Sequence, residues 1–193
     1  MAAFVLGNGV SRRDISVDLL ISRGAVYGCN ALYRTHRPTV LVATDRAIAE
    51  EIQATGYAHQ NRFYTRRPLP GSGAATIEKT YHGFSSGPVA VSIAARDGNQ
   101  RIYLLGFDMG PVAGRFNNIY ADTSHYKPSY AEPTYTGNWT KQIVRVCQDF
   151  PDRQFFRVHG ATTAAVPEFR TVRNLQTLSL SDFLLRLNTG EEL

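Results

Sequence analysis

The sequence predicts a single α/β domain in which a mostly parallel sheet has helices on both faces. Three observations predict this fold class. Short apolar segments alternate with helix-length segments along most of the 193 residues. A hydrophobic content of 43% and a charged content of 19% are typical of a globular protein. The length suits one hydrophobic core, so we expect residues 1–193 to form one Rossmann-like domain.

The predicted strands are short apolar runs that end at glycine or polar residues. The run 101–105, with the sequence RIYLL, is the clearest core strand, and the run 39–43 is apolar and β-branched as expected of a strand covered on both faces. In chain order the predicted strands are 4–6, 25–29, 39–43, 60–64, 101–105 and 154–158.

Helices are predicted where a capping residue precedes a helix-length segment and glycine follows it. We expect Thr44 or Asp45 to cap a helix that reaches about residue 54, before Gly56. A second helix is expected to begin in the segment 85–88. Serine is a favourable cap residue, and proline is favoured in a first turn. The other predicted helices are 14–20, 140–149 and 181–187, the segment 66–76 is a predicted loop, and 110–137 is a predicted irregular, lid-like excursion.

Charge and composition restrict the classes of partner. The net charge of +5 favours anionic ligands, but the basic residues are scattered, which argues against nucleic-acid binding. No apolar run approaches the roughly 20 residues that span a membrane, and the N-terminal run is too short for a signal peptide, so we expect a cytoplasmic protein without a membrane partner. Cys29 and Cys147 show no metal-ligand spacing, and a disulfide is not predicted. Homo-oligomer formation is left open.

Ligands of parallel α/β sheets bind outside the carboxyl ends of the strands. This rule places four predicted strand ends at one rim: residues 7–11, Asn30, Asp45 and 106–108. Asp45 is expected either to hold a ribose hydroxyl or a metal ion, or only to cap its helix. Asp108 is expected either to position a sugar or a metal ion, or to brace a loop.

The turn 7–11 has the sequence GNGVS. Gly7 and Gly9 are expected to bring the backbone close to a ligand and to leave N–H groups free to cradle a phosphate. Asn8 and Ser11 would add side-chain hydrogen bonds. The alternative interpretation is a tight turn that binds nothing.

Two further segments carry candidate ligand-binding groups. Ser85, Ser86 and Gly87 begin a predicted helix, whose free N–H groups and dipole suit an anion. His125, in the irregular excursion, is a candidate general base or phosphate contact, with an ordinary surface histidine as the alternative.

Five short motifs, in this order, resemble those of a group of small bacterial α/β sialyltransferases that use CMP-sialic acid. They are the segments LGNGVS, CNALY, SSG, IYLLGFDM and SHY at residues 6–11, 29–33, 85–87, 102–109 and 124–126. The resemblance implies a nucleotide and sugar site that contains Asn8, Asn30, Ser86 and Gly87, with Asp45 nearby.

The same resemblance implies metal-independent transfer without a cofactor, in which a histidine deprotonates the acceptor hydroxyl and tyrosines stabilise the departing phosphate. His125 and Tyr126 are the candidates for these catalytic roles. The chain also departs from the family. The position of the family's base falls near Ser129, its first phosphate tyrosine aligns with Gly110, and the short segment 110–124 implies a reduced lid.

These observations predict a glycosyltransferase-like enzyme that binds a CMP-type nucleotide sugar and transfers the sugar to the hydroxyl of an unidentified acceptor. Two alternatives stay open. One is a non-catalytic nucleotide-binding protein that has lost the base. The other is a metal-dependent pyrophosphokinase that resembles the archaeal pterin enzymes, with Asp45 and Asp108 as candidate ligands of Mg²⁺.

Overall fold

The computed structural model describes residues 2–190, which are built around one eight-stranded sheet. Every pair of neighbouring strands is parallel, which confirms the predicted α/β Rossmann-like fold. The strands are β1 (Ala2–Leu6), β2 (Ala25–Cys29), β3 (Val40–Ala43), β4 (Phe63–Thr65), β5 (Ala75–Thr76), β6 (Arg101–Leu105), β7 (Gln154–His159) and β8 (Leu175–Ser179). Their order across the sheet is β5-β4-β3-β2-β1-β6-β7-β8.

The central strand β1 lies where the strand order reverses. Its residue Ala3 is in register with Ala25 of β2 on one side and with Ile102 of β6 on the other. The chain extends the sheet in one direction from β1 to β5, and it then returns to add β6, β7 and β8 at the opposite side. The carboxyl ends of β1 and β6 therefore form the switch point at which such sheets bind ligands.

Five α-helices cover the two faces of the sheet. They are α1 (Val17–Arg23), α2 (Arg46–Ala54), α3 (Ser86–Arg96), α4 (Gly137–Asp149) and α5 (Leu180–Thr189). Alternate residues of β1 show the layering, because Ala3 and Val5 belong to the core with α3 and α4, whereas Phe4 and Leu6 belong to the core with α1, α2 and α5. Among residues 2–190, none of these helices has the length and apolar character needed to cross a bilayer.

Three strands differ from the prediction. The predicted loop 66–76 contains β5, which pairs over only two residues and is exposed. β8 was not predicted, because it lies at the sheet edge and half of its sequence, LQTLS, is polar. A third strand, β4, begins at Phe63 rather than residue 60, because residues 57–59 form a short 3₁₀ helix before it.

The excursion 110–137 connects β6 to α4 and has no helix or strand of its own, as predicted. It lies against the first turn of the chain through one hydrogen bond between backbone groups and one from a backbone N–H to a side chain. The N–H of Ile119 donates to the carbonyl of Asn8 over 2.8 Å, and the N–H of Val10 donates to Oδ1 of Asn117 over 2.9 Å. The excursion is therefore fixed beside the carboxyl end of β1.

Candidate functional site

A cavity of about 430 Å³ opens at the carboxyl edge of the sheet, at the switch point. Its volume falls within the range of about 300–1,000 Å³ that is typical of small-molecule sites. Its walls come from the ends of β1, β2, β3 and β6, the start of α3, and the excursion. The predicted site residues that line it are Gly7, Asn8, Gly9, Asn30, Asp45, Ser85, Ser86, Gly87, Asp108, His125 and Tyr126. Ser11 is the one predicted residue outside the lining.

The first turn offers fewer free N–H groups than the sequence predicted, because four of its five N–H groups donate within the protein and only that of Asn8 has no acceptor in the described chain. The acceptors of Gly7, Gly9, Val10 and Ser11 N–H are the carbonyls of Leu105 and Gly106 and the side chains of Asn117 and Asp108. The glycines serve a close approach of two loops instead. A Cβ atom at Gly7 would lie 2.6 Å from the carbonyl oxygen of Gly106, closer than atoms in contact allow.

Asp108 braces these loops, which was the second of its two predicted roles. Its buried carboxylate accepts hydrogen bonds from the N–H and hydroxyl of Ser11, from Nδ2 of Asn117 and from the hydroxyl of Thr162. Ser11 lies outside the cavity lining and its hydroxyl donates to Asp108, so its contact with a ligand stays a prediction. Arg157 braces the same loop by donating to the carbonyls of Phe107 and Asp108, and burial lowers the pKa of Arg157 to about 10.

The N-terminus of α3 has two further backbone N–H groups without an acceptor in the described chain. Ser85 is the N-cap residue, but its side chain makes no capping bond. The serines before α1 and α5 both accept from the N–H three residues on. Pro88 occupies that position in α3 and has no N–H to donate. Within the described chain, the N–H groups of Ser86 and Gly87 have no acceptor, as expected for an uncapped first turn.

The side chain of Ser86 ties three elements together rather than facing a ligand. Its hydroxyl donates to Oδ1 of Asn30 over 3.0 Å and accepts from the N–H of Thr44 over 3.0 Å. The hydroxyl proton is thus committed, and Thr44 Oγ1, also at 3.0 Å, must donate to Ser86. The contact that the resemblance implies for the Ser86 side chain is therefore taken up inside the protein, whereas Nδ2 of Asn30 has no acceptor among residues 2–190.

Asn8 presents an acceptor without a donor. Its Oδ1 is buried and has no hydrogen-bond partner in the described chain, while its Nδ2 lies 3.5 Å from the hydroxyl of Tyr126. Tyr126 also accepts from the N–H of Ala31 over 3.3 Å. Burial is the largest cause that raises the pKa of Tyr126, so its phenol is neutral and its own proton remains to donate.

Asp45 is the N-cap residue of α2, yet its carboxylate makes no capping bond and lines the cavity. His125 also lines the cavity, and its Nε2 lies 2.7 Å from Oε2 of Glu51. Among residues 2–190, no three side chains of histidine, cysteine, aspartate or glutamate are grouped so that they could hold a metal ion.

No protein-family model, curated protein or solved structure matches the chain. The resemblance to sialyltransferases therefore stays a prediction from the motifs.

Arg66 and Trp139 are among the cavity residues that sequence reasoning missed. Arg66 follows β4, and one of its terminal nitrogens donates to the carbonyl of Phe84 over 2.7 Å, just before the start of α3. Its Nε is buried without a partner in the described chain. Trp139, the single tryptophan, lies in the first turn of α4. Arg66 comes directly after β4, but the predicted strand ends at residue 64 and residues 66–76 are a predicted loop, so Arg66 is not among the predicted strand ends. Trp139 lies at the start of a helix, which the strand-end rule does not cover.

Proposed function

We propose that the protein binds a nucleotide sugar of the CMP type in this cavity and acts as a glycosyltransferase-like enzyme. One observation carries the proposal: Ser86 and Gly87, whose N–H groups have no acceptor in the described chain, line the same cavity as Arg66. A helix N-terminus attracts anions through its free donors and its dipole. An adjacent arginine adds charge-assisted hydrogen bonds to phosphate or carboxylate oxygens. These groups supply an anion subsite.

The two asparagines supply the polar complement of a sugar. Oδ1 of Asn8 needs a donor from the ligand, which a ribose or sugar hydroxyl or an exocyclic amine provides. Nδ2 of Asn30 needs an acceptor, which the same hydroxyl groups also provide. A buried polar atom left without a partner costs about 1–3 kcal/mol, so filling Asn8 Oδ1 favours a hydroxyl-bearing ligand.

Aromatic side chains line the remaining wall of the cavity. Phe107, Phe116 and Trp139 are among the lining residues, and aromatic rings would suit a planar base. An anion subsite, hydroxyl-complementary amides and ring surfaces together match the three parts of a nucleotide. The net charge of +5 adds general attraction for such a ligand.

Transfer requires that the bond between the sugar carbon and the phosphate oxygen breaks while the acceptor oxygen bonds to that carbon and loses its proton. Tyr126 is a neutral phenol that lines the cavity, and it would donate to the departing phosphate. His125 would accept the proton at Nδ1, because Nε2 is directed at Glu51. The second candidate is a nucleotide-binding protein without turnover, which Ser129 at the expected base position favours.

Arg66→Ala, compared with Arg67→Ala, tests the anion subsite. Arg67 is the exposed neighbour and lies outside the cavity lining, so both variants lose one positive charge on the same loop. Loss of a hydrogen bond to a charged group costs about 1.5–3 kcal/mol, or roughly 10- to 150-fold in Kd. Calorimetric titration with CMP should show micromolar binding by the wild type, weakening of that size in Arg66→Ala, and a change below about twofold in Arg67→Ala.

Absence of heat with CMP, UMP, AMP and GMP would contradict the proposal. Equal weakening in both arginine variants would remove the anion subsite from it. If CMP binds, incubation with CMP-sialic acid and a panel of sugar acceptors distinguishes the two candidates, since the enzyme releases CMP faster than solvent hydrolysis does and the binding protein does not.

A further inference from the structure

The turn at residues 120–127 carries His125 and Tyr126 to the cavity, and it needs support from outside. His125 has φ of +70°, in the left-handed region that few residues other than glycine adopt. Three backbone hydrogen bonds close the turn on itself, from Asp122 to Lys127, from Thr123 to Tyr120 and from Tyr126 to Thr123. Tyr120 and Tyr126 pack against the core, but residues 122–125 between them are exposed, so little buried apolar surface holds the part of the turn that carries His125.

The outer side of this turn is attached to α2 through one carboxylate. Oε2 of Glu51 lies 2.7 Å from Nε2 of His125. Oε1 of Glu51 accepts from the hydroxyl of Tyr33 and, over 3.0 Å, from a terminal nitrogen of Arg34. The same nitrogen of Arg34 donates to the carbonyl of Ser124 over 3.3 Å. Both outer contacts of the turn therefore converge on Glu51.

We propose that Glu51 is a positioning residue of the cavity, which orients His125 and holds the 120–127 turn closed so that Tyr126 stays beside Asn8. Glu51 lies in α2, two turns from the strand ends and outside the cavity lining. It acts on a ligand only through the turn. The role in ligand binding rests on the proposed function, whereas the attachment of the turn does not.

The charge on Glu51 is secured by its neighbours. The hydrogen bond from Tyr33 is the largest cause that lowers the pKa of Glu51 to about 2, and those from Arg34 and His125 act in the same direction. Glu51 therefore stays ionised near neutral pH and accepts from His125 throughout. This contact fixes the proton of neutral His125 on Nε2 and leaves Nδ1 as the ring's acceptor.

Glu51→Gln tests this role, and Glu50→Gln is its matched control. Glu50 is the preceding residue of α2 and pairs with Arg46 at 2.7 Å on the helix surface, so both variants remove one carboxylate charge from the same helix. Amide hydrogen exchange should rise in residues 119–128 of Glu51→Gln, with no rise in α2. If the turn is closed in about a tenth of the molecules, the apparent Kd for CMP rises about tenfold. Glu50→Gln should match the wild type in both measurements.

A double-mutant cycle with His125→Gln separates positioning from general destabilisation. If Glu51 and His125 act together, the double variant should have about the same exchange and Kd as the single variant with the larger effect. Increased exchange across α2 together with the turn, or strictly additive effects, would overturn the positioning role.

The two proposals fail in different ways. CMP binding with unchanged exchange and unchanged Kd in Glu51→Gln overturns the positioning role and leaves the nucleotide site standing. Increased exchange in the turn, in a protein that binds no nucleotide, overturns the proposed function and leaves the attachment of the turn standing.

Discussion

Replacing Asn8 by alanine should leave the free protein stable while it abolishes the response to nucleotide. The wild-type side chain buries Oδ1 without a donor, at a cost of about 1–3 kcal/mol, and its Nδ2 makes one long contact of 3.5 Å to Tyr126. Asn8→Ala removes both. We therefore expect the free energy of unfolding either to rise or, if it falls, to fall by less than about 1 kcal/mol.

Asn174→Ala is the same substitution at a site where the amide is fully used. Nδ2 of Asn174 donates to the carbonyls of Cys147, Phe150 and Arg153 over 2.9–3.0 Å. Its removal leaves buried carbonyls without donors, and we expect a loss of about 2–3 kcal/mol. Asn174 lies outside the cavity lining, so nucleotide binding should be unaffected.

Thermal unfolding with and without CMP measures both effects. A ligand at 100 times its Kd stabilises the native state by about 2.7 kcal/mol, which raises the Tm of a protein of this size by roughly 5–10 °C. The wild type and Asn174→Ala should show this rise, and Asn8→Ala should show little or none. A variant Asn8→Ala that is as unstable as Asn174→Ala and keeps the full rise would refute the assignment of Asn8 to the ligand.

Two further predictions concern the fold and its pH dependence. Gly7→Ala should lower the free energy of unfolding by about 1–3 kcal/mol in urea titrations, because its Cβ meets the backbone of Gly106. Gly83 has open space around it, so Gly83→Ala should change the free energy of unfolding by less than about 0.5 kcal/mol. Equal effects of the two substitutions would contradict the close approach at Gly7. The lowered pKa of Glu51, about 2, contributes stability that is fully present above the unfolded value near 4.5 and is lost as pH falls toward 2. Glu51→Gln should therefore lose less stability than the wild type between pH 5 and pH 2 in denaturant titrations, and parallel losses would contradict the origin of the shift.

The sequence predicts the centre of this sheet better than its edges. Strands β3 and β6 are buried on both faces, and their continuous apolar sequences show it. The edge strands β5 and β8 each have two exposed residues, so their sequences carry little strand signal. The hydrophobic pattern of a sequence reflects burial, and an edge strand is buried less than a central one.

The sequence likewise predicts some residues of the candidate site and not others. The strand-end rule correctly placed Asn8, Asn30 and Asp45 around one cavity, because parallel strands must end at a common edge. It did not predict that Ser11 and Asp108 bind each other, since that contact depends on how two loops pack. Nor did it find Arg66, whose position depends on the path between β4 and β5. Side-chain partners between distant loops are set by packing that no local pattern records.

A crystal structure of the protein with a bound CMP-sugar tests the central claim most directly. We expect an anionic group of the ligand within hydrogen-bond distance, about 2.7–3.2 Å, of the N–H of Gly87 and of Arg66, with a ligand hydroxyl or amine equally close to Oδ1 of Asn8. A ligand bound elsewhere on the molecule, or one whose apolar part faces the start of α3, would contradict it.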